Sequence, residues 1–137
     1  MTAAFFGGDT LQPIEPHTIA DSIAVGVPRN WKKALLAVRE SGGTMINVAD
    51  DAILDAIRYT GRLTGIFAEP AASAAVAGLA KAAAEGVVPR RATVVALITG
   101  NGLKDVQSAR EAAGRPFDIP PDGDGLEEIV CERKLIP

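Results

Sequence analysis

Cysteine and histidine occur once each in the 137 residues, as Cys131 and His17. A lone cysteine excludes an internal disulfide, and one cysteine with one histidine cannot assemble a zinc centre. An excess of one charge is also lacking. The net charge is −3, and no stripe of Lys and Arg runs along any segment, so nothing points to nucleic acid. The basic clusters are small, Trp31-Lys32-Lys33 and Arg90-Arg91, and read as solvated charge at helix ends or in loops. Long apolar runs are missing as well. The longest stretch, 71–84, is Ala-rich and interrupted by Ser73, Gly78 and Lys81, too short and small-sided to span a bilayer. The first residues lack the basic region and apolar run of a secretory leader. The expectation is a soluble, cytoplasmic protein with no membrane, metal or nucleic-acid partner.

What is present suits one domain. Apolar residues make up 47% of the chain, enough for a core at a length where single domains cluster, about 100–150 residues. Residues 1–17 carry Gly7-Gly8, Pro13 and Pro16 and no periodicity, so an irregular or extended amino-terminal segment is predicted. Thr18–Val25 is expected to make one or two helical turns, ended by Gly26 and Pro28. Asn30 is a candidate N-cap for a helix whose apolar face is Trp31, Ala34, Leu35 and Val38. Gly42-Gly43 stop it, and Thr44–Val48 has strand length. Asp50 is a candidate cap for a helix carrying Ile53, Leu54, Ile57 and Tyr59-Thr60 as far as Gly65.

Pro70 suits the first position of a further helix. Its predicted packing stripe is Ala72, Val76, Leu79 and Ala83, with Gly86 as the carboxy-terminal stop. Thr93–Ile98, TVVALI, is the clearest strand, apolar on both faces as in a buried parallel sheet. A tight Thr99-Gly100-Asn101-Gly102 loop follows, then a helix over 103–113 closed by Gly114. Residues 115–137 form a Pro- and Gly-rich loop and tail, in which 126–136 fits a strand or a helix. Helices alternating with short buried strands make the class α/β, a three-layer arrangement with a short parallel sheet flanked by helices. Two clear strands are few for a self-contained sheet, so completion by something outside this chain is expected.

Four stretches taken together resemble a known family: TIADSIAVGVPRNWKKAL at 18–35, VADDAILDAIR at 48–58, GIFAEPAASAAVAGL at 65–79 and VVALITGNGLKD at 94–105. In order and spacing they are similar to the last third of threonine synthases of the type II pyridoxal-phosphate fold, over roughly residues 12–105. The resemblance implies conversion of O-phosphohomoserine and water to threonine and phosphate, with pyridoxal 5′-phosphate as cofactor. By the same resemblance, Thr99 hydrogen-bonds the pyridine nitrogen, and Gly100, Asn101 and Gly102 bring backbone close to the ring. A strand end in an α/β protein is where ligands bind, though read as pattern alone this is a plain strand-to-helix turn. Glu69 lies near the ring, where it doubles as a carboxylate at a helix start. Thr18, Ile19 and Ala20 lie along one face of the ring, and Thr18 is equally a helix cap. Ser73 reads as a small packing residue or a ligand contact.

The family's Schiff-base lysine belongs to an upstream Ser-x-Lys-Asp type motif, and its phosphate-cradling glycine loop is upstream too. Here the first lysine is Lys32, and Lys104-Asp105 follows the TGNG loop, so Lys104 reads as a surface residue at a helix start. No catalytic residue is assigned, and this chain alone is expected to be inactive. A complementary amino-terminal half, or a homo-oligomer, is the expected partner. A threonine or serine dehydratase is a neighbouring reading, since those share the Glu-Pro-Ala stretch. A non-catalytic interaction module docking through an unfinished sheet is a reading from a different class.

Overall fold

The computed structural model describes residues 1–8, 10–114 and 116–133. Its regular elements are helical: α1 Thr2–Phe6, α2 Trp31–Glu40, α3 Asp50–Thr64, α4 Pro70–Ala84, α5 Val106–Ala113 and α6 Leu126–Arg133, with 3₁₀ turns at Asp21–Ile23 and Gly102–Lys104. The amino-terminal segment is therefore not wholly irregular, since α1 occupies part of it, and Arg39 of α2 donates to the Phe5 carbonyl at 2.8 Å. The turns expected over 18–25 shrink to one 3₁₀ turn. The tail at 126–133 is helix rather than strand, and its last four positions, 134–137, lie outside the described residues.

The core is the pairing of α3 with α4. Lys81 donates to the Asn47 carbonyl just before α3 (2.8 Å), and Tyr59 reaches the Val76 carbonyl (3.5 Å), so the two helices run antiparallel. Ile53, Ala56 and Ala77 are buried between them and are joined by Ala20. Alanines allow the close approach and supply little apolar area each, so contact rests on fit rather than bulk. Along α3 the predicted face holds: Ile53, Leu54, Ile57 and Thr60 are buried, and Gly65 ends the helix at φ 71°. Along α4 the stripe is rotated from the prediction. Ala72, Ser73, Ala77 and Ala82 are buried, while Val76 and Leu79 are half-buried and Ala83 is exposed. A helix of alanines carries almost no amphipathic signal, so its neighbours choose the face. Arg58 fixes α5 to this pair by donating to the Ala112 carbonyl at 2.5 Å, a favourable charge at a helix carboxyl end.

The parallel sheet is not formed among the described residues. Residues 44–48 and 93–98 carry no regular structure and no ladder, and the one bridge among the described residues joins Ala68 to Asn101 in antiparallel sense. Strand preference is a local property of β-branched residues, whereas a ladder needs a neighbouring chain segment that the described residues do not supply. The side chains follow: Val95 is 82% and Leu97 71% exposed, instead of buried on two faces. Such an open apolar edge pairs with other chains. Light scattering on the eluted protein is expected to show dimers or larger species, and a monodisperse monomer at high concentration would contradict this. A second expectation concerns the α3–α4 contact, where Ala56 is fully buried. Ala56→Leu should cost about 1–3 kcal/mol in urea unfolding, against no more than about 0.5 kcal/mol for the exposed Ala75→Leu.

Candidate functional site

The loop at 99–102 and the start of α4 are tied together by backbone. Glu69 donates its N–H to the Gly100 carbonyl (3.1 Å), and Gly102 donates to the Phe67 carbonyl (3.0 Å). These two bonds make the Ala68–Asn101 bridge. They bring AEP at 68–70 and TGNG at 99–102, about 30 positions apart in sequence, into register. The loop is stiffened by its own side chain, since Asn101 Oδ1 accepts from Leu103 N–H at 2.9 Å, an Asx turn.

The glycines are required by contact rather than by unusual φ. A Cβ at Gly100 would overlap the Glu69 carboxylate, and a Cβ at Gly102 would overlap the Phe67 ring. The Glu69 side chain is 7% exposed, and its Oε2 meets Lys104 Nζ at 3.0 Å. Lys104 was predicted as a surface residue; it is 61% exposed, but its head is engaged with a buried carboxylate. Nothing in the sequence announces this pairing, because the partners are 35 positions apart and meet only through the bridge. Phe67 likewise carried no sequence signal for its contact with Gly102.

Thr99 is exposed and borders an open concavity of about 470 Å³ with Gly65, Ile66, Phe67, Ile98 and Asn101. No hydrogen bond joins its hydroxyl to another described residue. Ser73, one turn into α4, is fully buried, and its hydroxyl has no hydrogen-bond partner among the described residues.

The segment 18–20 lies elsewhere. The Thr18 hydroxyl donates to Asp50 Oδ1 (2.5 Å), Ile19 N–H donates to Asp50 Oδ2 (3.2 Å), and Ala20 N–H donates to the Thr18 oxygen (3.2 Å). Asp50, read from sequence as a helix cap, is instead the first residue of α3, with Ala49 before it, and its carboxylate clamps this segment. Thr18 and Ala20 line a different cavity, of about 780 Å³. The physical reason is the antiparallel helix pair: Asp50 opens α3 and Glu69 precedes α4, so the two groups hang on opposite ends.

At the far side of the loop the 3₁₀ turn at 102–104 replaces the first turn of the predicted 103–113 helix, and α5 starts at Val106. Asp105 is its N-cap, accepting Ser108 N–H (2.9 Å) and Oγ–H (2.6 Å). The side-chain and then the backbone bond from Ser108 hold the Asp105 carboxyl below its ordinary value. Folding thus favours the ionised form. The contribution is complete above the ordinary carboxylate pKa and is lost as pH falls through the lowered folded value. Asp105→Ala should cost about 0.5–2 kcal/mol at neutral pH. It should also remove part of the acid-limb loss of stability, measured as unfolding midpoint against pH. An unchanged acid limb in the variant would refute the role.

No described helix is long and apolar enough to cross a membrane, and no cluster of three or more acidic, His or Cys side chains suited to a metal is found among the described residues. Comparison with known proteins adds the following. The family described as pyridoxal-phosphate dependent enzyme matches residues 1–100. A threonine synthase of Methanosarcina acetivorans is 42% identical over 125 residues, 90% of this chain and 31% of its own length. One of Synechocystis is 48% identical over 104 residues, 75% of this chain and 27% of its own. One of Mycobacterium bovis is 41% identical over 107 residues, 78% of this chain and 30% of its own. The chain thus spans under a third of the length of these curated relatives. The match over 1–100 covers the helix pair and reaches Gly100 of the loop, and on that ground the chain belongs to the pyridoxal-phosphate dependent enzyme family.

Proposed function

We propose that this chain is part of a threonine-synthase-like enzyme that converts O-phosphohomoserine and water to threonine and phosphate, and that it supplies the ring-nitrogen side of the cofactor site. The observation that carries this reading is the bridge between Ala68 and Asn101. It brings the start of α4 against the loop where Thr99, with its hydroxyl free of other described partners, lines an open concavity together with Gly100 and Asn101.

The residues at 99–102 fit one edge of a flat heteroaromatic ring. Thr99 offers a neutral hydroxyl, able to donate to a ring nitrogen. Gly100 and Gly102 present bare backbone, and Asn101 holds the turn. When bound, pyridoxal phosphate supplies an electron sink for a carbanion on the amino-acid substrate, and a hydroxyl at the ring nitrogen, unlike a carboxylate, does not hold that nitrogen protonated. Thr18 fits less directly, because its hydroxyl is engaged with Asp50; there the backbone of Ile19 and the small side chain of Ala20 are the surfaces on offer. The Schiff-base lysine and the phosphate loop would come from a complementary segment. The type II sheet, with 93–98 as one of its strands, would be completed by the same pairing. An amino-acid phosphate ester is the substrate class on this reading.

Binding of pyridoxal phosphate, followed by fluorescence or dialysis, tests the assignment. Thr99→Ala should weaken it by roughly three- to tenfold, the value of one hydrogen bond of about 0.5–1.5 kcal/mol. Equal affinity of the variant would remove Thr99 from the site. Borohydride treatment of the same mixture is expected to leave no adduct at any single lysine of this chain; a stoichiometric one would mean that the chain carries its own Schiff-base residue.

A further inference from the structure

The family resemblance puts the Glu69 carboxylate near the ring, and its surroundings hold it there. The Glu69 side chain is 7% exposed, and a carboxylate out of water is costly unless a counter-charge or donors meet it. Here the counter-charge is Lys104, with Nζ 3.0 Å from Oε2. The other oxygen, Oε1, lies against the Cα of Gly100, where even a methyl group would overlap it. The carboxylate is therefore gripped from two sides, by an ammonium and by glycine backbone. Lys104 stands on the 3₁₀ turn that follows Gly102, and the N–H of Gly102 is bonded to the Phe67 carbonyl. Its side chain reaches back from the far end of the loop to the residue that precedes α4. Three links then close a ring around the loop: Glu69 N–H to Gly100, Gly102 N–H to Phe67, and Lys104 to Glu69.

We infer that Lys104 is a positioning residue for the Thr99–Gly102 loop: its ammonium holds the Glu69 carboxylate over Gly100, the residue that follows Thr99, and cancels its charge there. The electrostatic half of this inference rests on the proposed assignment of Thr99; the mechanical half does not. Mechanically, the ion pair supports the two backbone bonds by fixing the residue whose backbone N–H makes one of them. Electrostatically, a bare carboxylate over Gly100, the residue next to Thr99, would favour positive charge on whatever the Thr99 hydroxyl binds. The paired carboxylate does so far less, which leaves a pyridine nitrogen neutral. An arginine could keep the pairing, since it too is a cation with donors; a methionine of similar length could not.

The test uses the full chain. Amide hydrogen exchange is measured at Glu69 and Gly102 in wild type, Lys104→Met, Lys104→Arg and the double variant Glu69→Gln with Lys104→Met. Exchange at both amides is expected to speed up about tenfold or more in Lys104→Met, where a buried charge loses its partner. It should stay within about threefold of wild type in Lys104→Arg, and return towards wild type in the double variant, where no charge is left to bury. Unchanged exchange in Lys104→Met would overturn the inference. So would equal acceleration in Lys104→Arg or in the double variant, which would indicate lost packing alone. With ring-¹⁵N pyridoxal phosphate added, the nitrogen resonance is expected to move towards the protonated position in Lys104→Met and not in Lys104→Arg. If wild type and Thr99→Ala give the same resonance, the assignment of Thr99 fails, while the exchange result still decides the role of Lys104.

Discussion

Two backbone hydrogen bonds, Glu69 to Gly100 and Gly102 to Phe67, determine where every group at the site stands. They are antiparallel bonds between two short pieces of chain, each of which opens a helical segment: α4 on one side, the 102–104 turn and α5 on the other. A bridge of this kind tolerates no bulk where the strands cross. Gly100 lies under a carboxylate and Gly102 under an aromatic ring, and neither has space for a Cβ. The glycines are therefore demanded by the approach of Glu69 and Phe67. Their conformational freedom is secondary, since neither residue has positive φ.

The bridge is held in place by the helix pair behind it. Pro70, at the first position of α4, starts the helix without an unsatisfied N–H, and Glu69 before it has extended backbone, φ −69° and ψ 163°. Once α4 is docked on α3 through Ala56 and Ala77, the direction in which Glu69 leaves the helix is fixed. Arg58 then ties the end of α5 to α3, so the loop at 99–102 is followed by a helix anchored to the same core. Buried alanines give little stabilisation each, about 25 cal/mol per Å² of apolar area removed from water. The arrangement therefore relies on side-chain reach, through Arg58, Lys81 and Lys104, more than on a large apolar core.

Much of this was legible in the sequence, and the failures share a cause. The starts and stops of α2, α3 and α4 followed from Gly42-Gly43, Gly65, Pro70 and Gly86, because turn and cap chemistry is local. The face of α3 followed from Ile53, Leu54 and Ile57 at helical spacing. The face of α4 did not, because a helix made mostly of alanines does not show which side its neighbours will cover. The motifs that carry the family resemblance were readable as strings, AEPAAS and TGNG, and the family itself is shown. Their meeting was not readable, since it depends on a bridge between residues 68 and 101. Lys104 is exposed, as its position at a helical start suggested, but its ion pair with Glu69 was unreadable for the same reason, since only the bridge brings the two together. The strand read at 93–98 forms no ladder among the described residues, because strand preference is a property of TVVALI while pairing is a property of whatever lies beside it.

That last distinction bears on the site directly. Thr99 stands between two unlike stretches of backbone. On its carboxyl side, Gly100 and Gly102 are bonded to the start of α4. On its amino side, no backbone hydrogen bond joins residues 93–98 to another described residue. The loop is thus anchored at one end only, and the hydroxyl sits at the boundary. A hydrogen bond to a ring nitrogen needs a donor held to within a few tenths of an ångström, and the bridge constrains Gly100 more tightly than the residue before it. Pairing of 93–98 with a further strand would supply the second anchor and would cover Val95 and Leu97 at the same stroke. Covering these apolar side chains and fixing the Thr99 hydroxyl would then be one event physically, so on the proposed reading a partner segment that completes the sheet would also complete the geometry of the ring-nitrogen contact.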